Sequence, residues 1–287
     1  MKWLLTLCLM LASGLQAASI SIIIDDVGDN QRLALRSLQL HPDIALSILP
    51  HTPFSQEIAL LASKSGNDIM LHQPMESYSN NHLLGPGPLL TSMARDQLTD
   101  TLRANLDALP QAIGINNHMG SKLTEDPERM SWIMSVLISR GKFFIDSKTS
   151  AISAAANTAQ RWHVPNMSRH VFLDHVDDID FVAMQFKRLI ALAKRHGHAV
   201  AIGHPKPNTL AYLEQVIPNL ADWGVQLTPI REQVFMQYQP DYPPLPNALC
   251  YQQEGFQEGH QSMTQSLAQR IANYRCHNQG NLNTTVN

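Results

Sequence analysis

The segment Ile20-Ser21-Ile22-Ile23-Ile24-Asp25-Asp26 decides the fold, because an isoleucine-rich run ends directly in two carboxylates. A short apolar run bounded in this way is typical of a buried strand. Similar runs recur along the chain, and segments of helical period separate them. The predicted strands lie near residues 20–24, 44–49, 68–71, 112–116, 142–145, 170–173, 199–203 and 225–228. This alternation predicts an α/β fold whose parallel sheet is connected by crossover helices.

The segments between the strands carry helix signals. The clearest predicted helix covers Ile179 to His196, with an apolar stripe at helical spacing and a stop at Gly197. Asp126-Pro127 opens another helix, and Asp29 is expected to cap the helix after the first strand. Seven or eight strand–helix units in a domain of about 220 residues favour a closed or nearly closed (β/α) barrel. An open doubly wound sheet is the alternative.

The two ends of the chain differ from this pattern. Lys2, the apolar run from Leu4 to Ala12 and the small residues up to Ala17 predict a secretory signal peptide, cut after Ala17. A buried first helix is the alternative. No other stretch approaches the roughly 20 apolar residues of a membrane span, so we expect an exported, periplasmic protein without a transmembrane segment. Residues 18–235 form the predicted barrel domain, and residues 236–287 a Pro-rich, polar extension.

Charge and cysteine content narrow the possible partners. The chain has 21 basic and 24 acidic residues, and removal of Lys2 with the signal peptide changes the net charge from −3 to −4. Without a basic cluster, nucleic acid is not an expected partner. A neutral, sugar-like substrate fits better. Loss of Cys8 leaves Cys250 and Cys276, which form either one disulfide or two free thiols in an oxidising compartment.

Residues able to bind a metal follow directly on several predicted strands. They are Asp25, Asp26, His72, His118, Asp146 and His204. The carboxyl ends of parallel barrel strands open into one shared mouth, so these side chains can converge. Carboxylate and neutral imidazole suit zinc and related ions, and three protein ligands leave a position open for water. The pattern predicts one divalent metal, preferably zinc, in a catalytic site. The Gly-x-Ser-x-Gly motif of serine hydrolases does not occur.

These segments resemble the motifs of the polysaccharide deacetylases with a NodB-type barrel, and more closely their divergent branch of exported bacterial proteins. Ile22-Ile23-Ile24-Asp25-Asp26 is similar to the family's first motif. The resemblance implies that Asp25 is the general base and Asp26 a metal ligand. Gly66-Asn67-Asp68-Ile69-Met70-Leu71-His72 resembles the run up to the family's metal-binding histidine, which implies His72 as a second ligand.

The third ligand has two candidates. The family usually has His-x-x-x-His, whereas this chain has Glu76 at the second position. Glu76 coordinates if the two residues lie four apart on a helical turn. The preferred candidate is His118, in a segment similar to the divergent branch. Ala201-Ile202-Gly203-His204-Pro205 resembles the last motif and implies His204 as general acid, and Asp146 is a possible additional ligand.

The resemblance implies a metal-dependent hydrolase of the cell envelope that removes N-acetyl groups from a polysaccharide or peptidoglycan. A different class of function is a non-catalytic glycan-binding or regulatory protein on the same barrel, because the second histidine and the family's Arg-Pro-Pro-Tyr motif are absent. A hydrolase of another bond, such as an ester or phosphoester, is a third hypothesis, because fold does not fix function.

Overall fold

The computed structural model describes residues 18–238 and contains one nine-stranded sheet. The strands are β1 (Ala18–Val27), β2 (Ala45–Ile48), β3 (Ile69–Met75), β4 (Gly114–Met119), β5 (Phe143–Asp146), β6 (Asn166–Ser168), β7 (Val171–Phe172), β8 (His198–Gly203) and β9 (Val225–Leu227). Each pairing between these strands is parallel. The predicted α/β class is therefore confirmed.

Helices connect most of the consecutive strands, and all but the last of them cover the outer face of the sheet. They are α1 (Gln31–Leu38), α2 (Ser55–Ser65), α3 (Arg95–Ala108), α4 (Pro127–Ser139), α5 (Ala155–Arg161), α6 (Ile179–His196), α7 (Pro207–Val216) and α8 (Ile230–Gln237). Within residues 18–238, none of the helices combines the length and apolar character that crossing a bilayer requires.

The sheet curls until its two edges approach each other. The strand order is β6-β5-β4-β3-β2-β1-β8-β7, and β9 pairs with β1. Only Arg169 and His170 separate β6 from β7. The Arg169 amide donates to the Asp146 carbonyl on β5, and the next amide, of His170, donates to the Val200 carbonyl on β8, both at 2.9 Å. The molecule is thus a nearly closed half-barrel rather than an open doubly wound sheet.

Alternation along β1 separates an outer core from an inner one. Ile22 and Ile24 pack into the large cluster beneath the helices, whereas Ile23 joins a smaller cluster inside the curl. Ile230 and Val234 of α8 belong to the inner cluster, so α8 plugs the barrel. The Gln233 side chain accepts from Ser19 at the start of β1, which places this plug at the amino ends of the strands. The carboxyl ends stay open for a site.

Several local predictions are confirmed, one is wrong and one strand was missed. The helix from Ile179 to His196 has the predicted bounds, with Gly197 at a φ of 84°. Asp126 caps α4 as expected. Asp29 does not cap α1, because Asn30 accepts from the Leu33 amide instead. The three-residue strand β6 was not predicted. The predicted signal peptide, the pair Cys250 and Cys276 and all but the first three residues of the predicted C-terminal extension lie outside the described residues, and α8 continues two residues into that extension.

Candidate metal centre

Asp25 and Asp26, near the end of β1, both face the open carboxyl end of the half-barrel, because the backbone departs from the strand conformation at Asp26. Successive side chains of a strand point to opposite faces, so Asp25 faces the interior and Asp26 would face away from it. Asp26 instead adopts a φ of 54°, and the register with β2 shifts between Ile24 and Val27. Aspartate tolerates this left-handed conformation better than most residues. The carboxylate of Asp26 therefore lies against the histidines of β3 and β4.

The side chains of Asp26, His72 and His118 form a cluster able to hold a metal ion. Asp26 Oδ1 lies 3.1 Å from His72 Nε2 and 2.9 Å from His118 Nδ1, and these two nitrogens are 3.2 Å apart. Ligands of a tetrahedral zinc ion at about 2.1 Å are separated by about 3.3 Å. The three atoms thus have nearly the spacing of one face of such a coordination shell.

Each of the two rings has a hydrogen-bond acceptor beside the nitrogen that faces away from Asp26. His72 Nδ1 lies 2.8 Å from Asn116 Oδ1, and His118 Nε2 lies 3.4 Å from the Leu83 carbonyl. Both partners are acceptors, so a neutral ring that donates there has its unprotonated nitrogen facing Asp26. Burial alone would lower the pKa of His72, but Asp25 and Asp26 raise it to about 9, so a cation at this point would take the place of a proton. Two ring nitrogens and a buried carboxylate oxygen converging on one point fit a bound cation.

Asp25 lies behind this cluster and is almost completely buried. Its Oδ2 is 3.6 Å from His72 Nε2, and its Oδ1 accepts from Asn116 Nδ2 at 2.8 Å. Burial raises the pKa of Asp25, although the neighbouring His72 and His204 act in the opposite direction. A carboxylate of raised pKa is a better proton acceptor near neutral pH.

His204 follows β8 on the other side of the mouth and is held by a buried carboxylate. Asp174 accepts from the His204 amide at 2.7 Å and lies 2.9 Å from His204 Nδ1; Thr209 donates to it as well. His204 Nε2 is thereby directed towards the cluster, 3.6 Å from Asp26 Oδ2. Burial alone would lower the pKa of His204, but Asp174, Asp26 and Asp25 raise it. Sequence analysis did not single out Asp174, although it also follows a strand.

Two predicted residues are not part of the cluster. Residues 69–75 form a strand, so His72 and Glu76 do not share a helical turn. The Glu76 carboxylate accepts from the Thr91 amide and hydroxyl and pairs with Lys122 at 2.6 Å. The helical turn on which the Glu76 prediction depended is absent here, and the cluster is formed by Asp26, His72 and His118 without Glu76. Asp146 is buried and accepts from the Lys148 amide, and its second oxygen has no partner within residues 18–238, but it does not join the cluster.

Fold and site together define the class of this protein: a parallel half-barrel of the deacetylase type, with a His/Asp cluster at the carboxyl ends of its strands. Residues 22–234 match the family model described as divergent polysaccharide deacetylase. The chain belongs to that family.

Two uncharacterised relatives and one solved structure are similar to this chain. An uncharacterised Haemophilus influenzae protein is 36% identical over 205 residues, which cover 71% of this chain and 73% of that protein. The uncharacterised protein YibQ of Escherichia coli is 36% identical over 217 residues, or 74% of this chain and 66% of YibQ. The structure of an uncharacterised Agrobacterium tumefaciens protein has a TM-score of 0.72 at 19% identity, covering 77% of this chain and 91% of that one.

A further structure shares the fold at lower similarity. The catalytic domain of the peptidoglycan N-acetylglucosamine deacetylase from Eubacterium rectale superimposes with a TM-score of 0.50 at 16% identity, over 74% of this chain and 88% of that one. At this identity the likeness establishes the curled parallel sheet alone.

Proposed function

We propose that this protein is a metal-dependent deacetylase that removes N-acetyl groups from a glycan of the cell envelope. The observation that carries the proposal is the convergence of Asp26, His72 and His118, with two ring nitrogens and a buried carboxylate oxygen facing one point. Asp25 and His204 flank that point from different sides. A cation site between a potential base and a potential acid fits hydrolysis of an acyl bond.

Asp26, His72 and His118 would hold the metal, for which zinc suits the donor set best. When bound, a divalent metal supplies Lewis-acid chemistry: it polarises a carbonyl oxygen and lowers the pKa of a water molecule. The remaining chemistry belongs to the protein. The open end of the barrel must bind the acetamido group of the substrate between Asp25 and His204. The proton acceptor then faces the attacking water, and the proton donor faces the nitrogen of the leaving amine.

Asp25 is the proposed general base and His204 the proposed general acid. Asp25 is buried, held by Asn116, and accepts the proton of the attacking water. His204 Nε2 donates a proton to the departing amine while Asp174 holds Nδ1, so that the ring keeps one orientation during the transfer. Acetate and a free amino sugar are the products, and the two proton transfers balance.

The substrate and the cellular location follow from family and sequence. The family is that of the divergent polysaccharide deacetylases, and the predicted signal peptide supports the proposal of a periplasmic location. N-acetylated glycans, with peptidoglycan as the first candidate, are therefore the proposed substrates. The absence of a basic cluster in the sequence argues against nucleic acid as a partner.

Acetate release tests the proposal. The zinc-loaded protein should release acetate from peptidoglycan or from N-acetylglucosamine oligomers, and Asp25→Asn should reduce the rate by about 10²- to 10⁴-fold while the metal is retained. Asp29→Asn is the matched control, because this exposed carboxylate lies on the same loop. Zinc binding and glycan binding without turnover of any acetylated glycan would instead support the non-catalytic glycan-binding function.

A further inference from the structure

The side chain of Asn116 lies inside the half-barrel between the proposed base and a proposed metal ligand. It projects from β4 and is completely buried. Its neighbours are His72 on β3, Asp25 on β1 and Ser47 on the intervening strand β2. Asn116 therefore connects four strands at the level of the site.

The short hydrogen bonds of the Asn116 amide all connect it to residues at or beside this site. Its Oδ1 accepts from the Ser47 hydroxyl and from His72 Nδ1, which lies at 2.8 Å. Its Nδ2 donates to Asp25 Oδ1, also at 2.8 Å. A buried amide must satisfy both its oxygen and its nitrogen. The Asp25 contact selects the amide orientation, because the flipped amide would set its oxygen against Asp25 Oδ1; the selected orientation presents Oδ1 to His72 Nδ1.

This orientation has two consequences for the site. With the proton held on Nδ1, the lone pair of neutral His72 is fixed on Nε2, the nitrogen that faces Asp26. With Nδ2 bound to Asp25 Oδ1, the other oxygen of Asp25 remains directed towards His72 Nε2, 3.6 Å away. One side chain thus sets the ring tautomer on one side and the carboxylate orientation on the other.

We infer that Asn116 is a positioning residue that fixes the metal-ready tautomer of His72 and the orientation of Asp25 through the two ends of one amide. The inference rests on the proposed function and extends it to a residue that acts through its neighbours. Hydrogen bonds to metal-binding histidines of this kind alter metal affinity by about 10- to 100-fold.

Two substitutions separate the two ends of the amide. Asn116→Ala removes both bonds, so we expect zinc affinity, measured by competition with a chromogenic chelator, to fall by about 10- to 100-fold. Asn116→Asp keeps an acceptor for the His72 N–H but cannot donate to Asp25 and sets a like charge beside it. Zinc affinity should then stay within about threefold of wild type, while acetate release falls by at least about 100-fold. Asn67→Ala is the matched control, because it removes another buried amide, which precedes β3 and bonds only the His41 and Ile44 carbonyls through its Nδ2.

A spectroscopic measurement tests the tautomer without metal or turnover. In long-range ¹H–¹⁵N spectra of the metal-free protein at a pH where His72 is neutral, wild type and Asn116→Asp should show the proton on Nδ1, and Asn116→Ala should lose this preference. Unchanged zinc affinity and tautomer in a folded Asn116→Ala protein would overturn the inference and leave the proposed function intact. A wild-type protein that binds zinc but releases no acetate would reject the proposed function, while affinity and tautomer still decide the role of Asn116.

Discussion

Asp26 shows how a single backbone conformation builds the site. A regular strand would direct Asp25 and Asp26 to opposite faces, and only the left-handed conformation of Asp26 brings both carboxylates into the mouth. Sequence analysis predicted that both residues contribute, because a resemblance to known motifs carries that information. The left-handed turn itself could not be predicted from local sequence, since it depends on the register shift against β2.

Substitution of Asp26 by asparagine should remove the metal and spare the fold. Asparagine accepts the left-handed conformation as readily as aspartate, so the free energy of unfolding of the metal-free protein should change by less than about 0.5 kcal/mol. Zinc affinity should fall by on the order of 100-fold or more, because a ligand is lost. Urea unfolding and chelator competition measure the two quantities. Equal zinc affinity in wild type and Asp26→Asn would exclude Asp26 as a ligand.

Asp174 should matter for turnover and not for metal binding. It holds His204 through the backbone amide and Nδ1, and it contacts none of the proposed ligands through a described hydrogen bond. Asp174→Asn should therefore lower the rate of acetate release by on the order of 100-fold, with metal content unchanged. Asp177→Asn, an exposed carboxylate on the same loop, is the control. Metal loss in Asp174→Asn would show that this pair supports the metal cluster instead.

Among the elements, long periodic segments were predictable and short ones were not. The bounds of α6 follow from its apolar stripe and its terminal glycine, because both signals are local. Strand β6, Asn166–Ser168, has neither an apolar run nor alternation, and it exists because β5 offers it a pairing edge. The helical turn assumed between His72 and Glu76 also depended on a feature without a local signal. Strand β3 continues through Pro74 to Met75, and nothing in the local sequence marks this extension.

The junction between α8 and β3 predicts a pH-dependent stability. Asp68 precedes β3 and is buried; its Oδ2 accepts from the Arg231 amide at 2.9 Å, and the Arg231 guanidinium lies 3.1 Å from Oδ1. Burial outweighs these contacts and raises the pKa of Asp68 from 3.8 to about 6. Between these values the native state binds more protons than the unfolded state, so stability contributed by this group is present below about pH 4 and is lost as the pH rises through 6.

The comparison with Asp68→Asn isolates this effect. The free energy of unfolding of wild type minus that of the variant should decrease by up to about 3 kcal/mol between pH 4 and 6 and remain constant above about pH 7. Urea titrations at several pH values measure it. Asp107→Asn, at an exposed pair with Arg140, should give a nearly constant difference. A difference that increases with pH for Asp68→Asn would contradict the assigned direction.

In the whole molecule, the apolar residues that stabilise the inside of the half-barrel and the polar residues of the candidate site lie at opposite ends of the strands. The inner apolar cluster and α8 fill the amino ends of the strands, whereas the polar cluster lies at their carboxyl ends. The curled parallel sheet was predictable from the alternation of apolar runs and helical segments. How nearly the sheet closes was not, because it depends on the hydrogen bonds of Arg169 and His170 to distant strands.

A substitution in the plug should therefore lower stability without changing metal binding. Ile230 is completely buried in the inner cluster, and Ile230→Ala should reduce the free energy of unfolding by about 2–4 kcal/mol. Met236→Ala, at a side chain that is half exposed, should change it by less than about 0.5 kcal/mol. Zinc affinity below the melting temperature should match wild type in both. A loss of affinity in folded Ile230→Ala would show that the two ends are coupled.

The central claim, that Asp26, His72 and His118 form one metal site, is tested most directly by elemental analysis of the purified protein after zinc loading and desalting. Wild type and His82→Ala, an exposed histidine near the mouth, should each contain about one zinc per chain. His72→Ala and His118→Ala should retain the fold by circular dichroism and lose the zinc. A wild-type protein without zinc, or single-histidine variants with a full complement, would contradict the account.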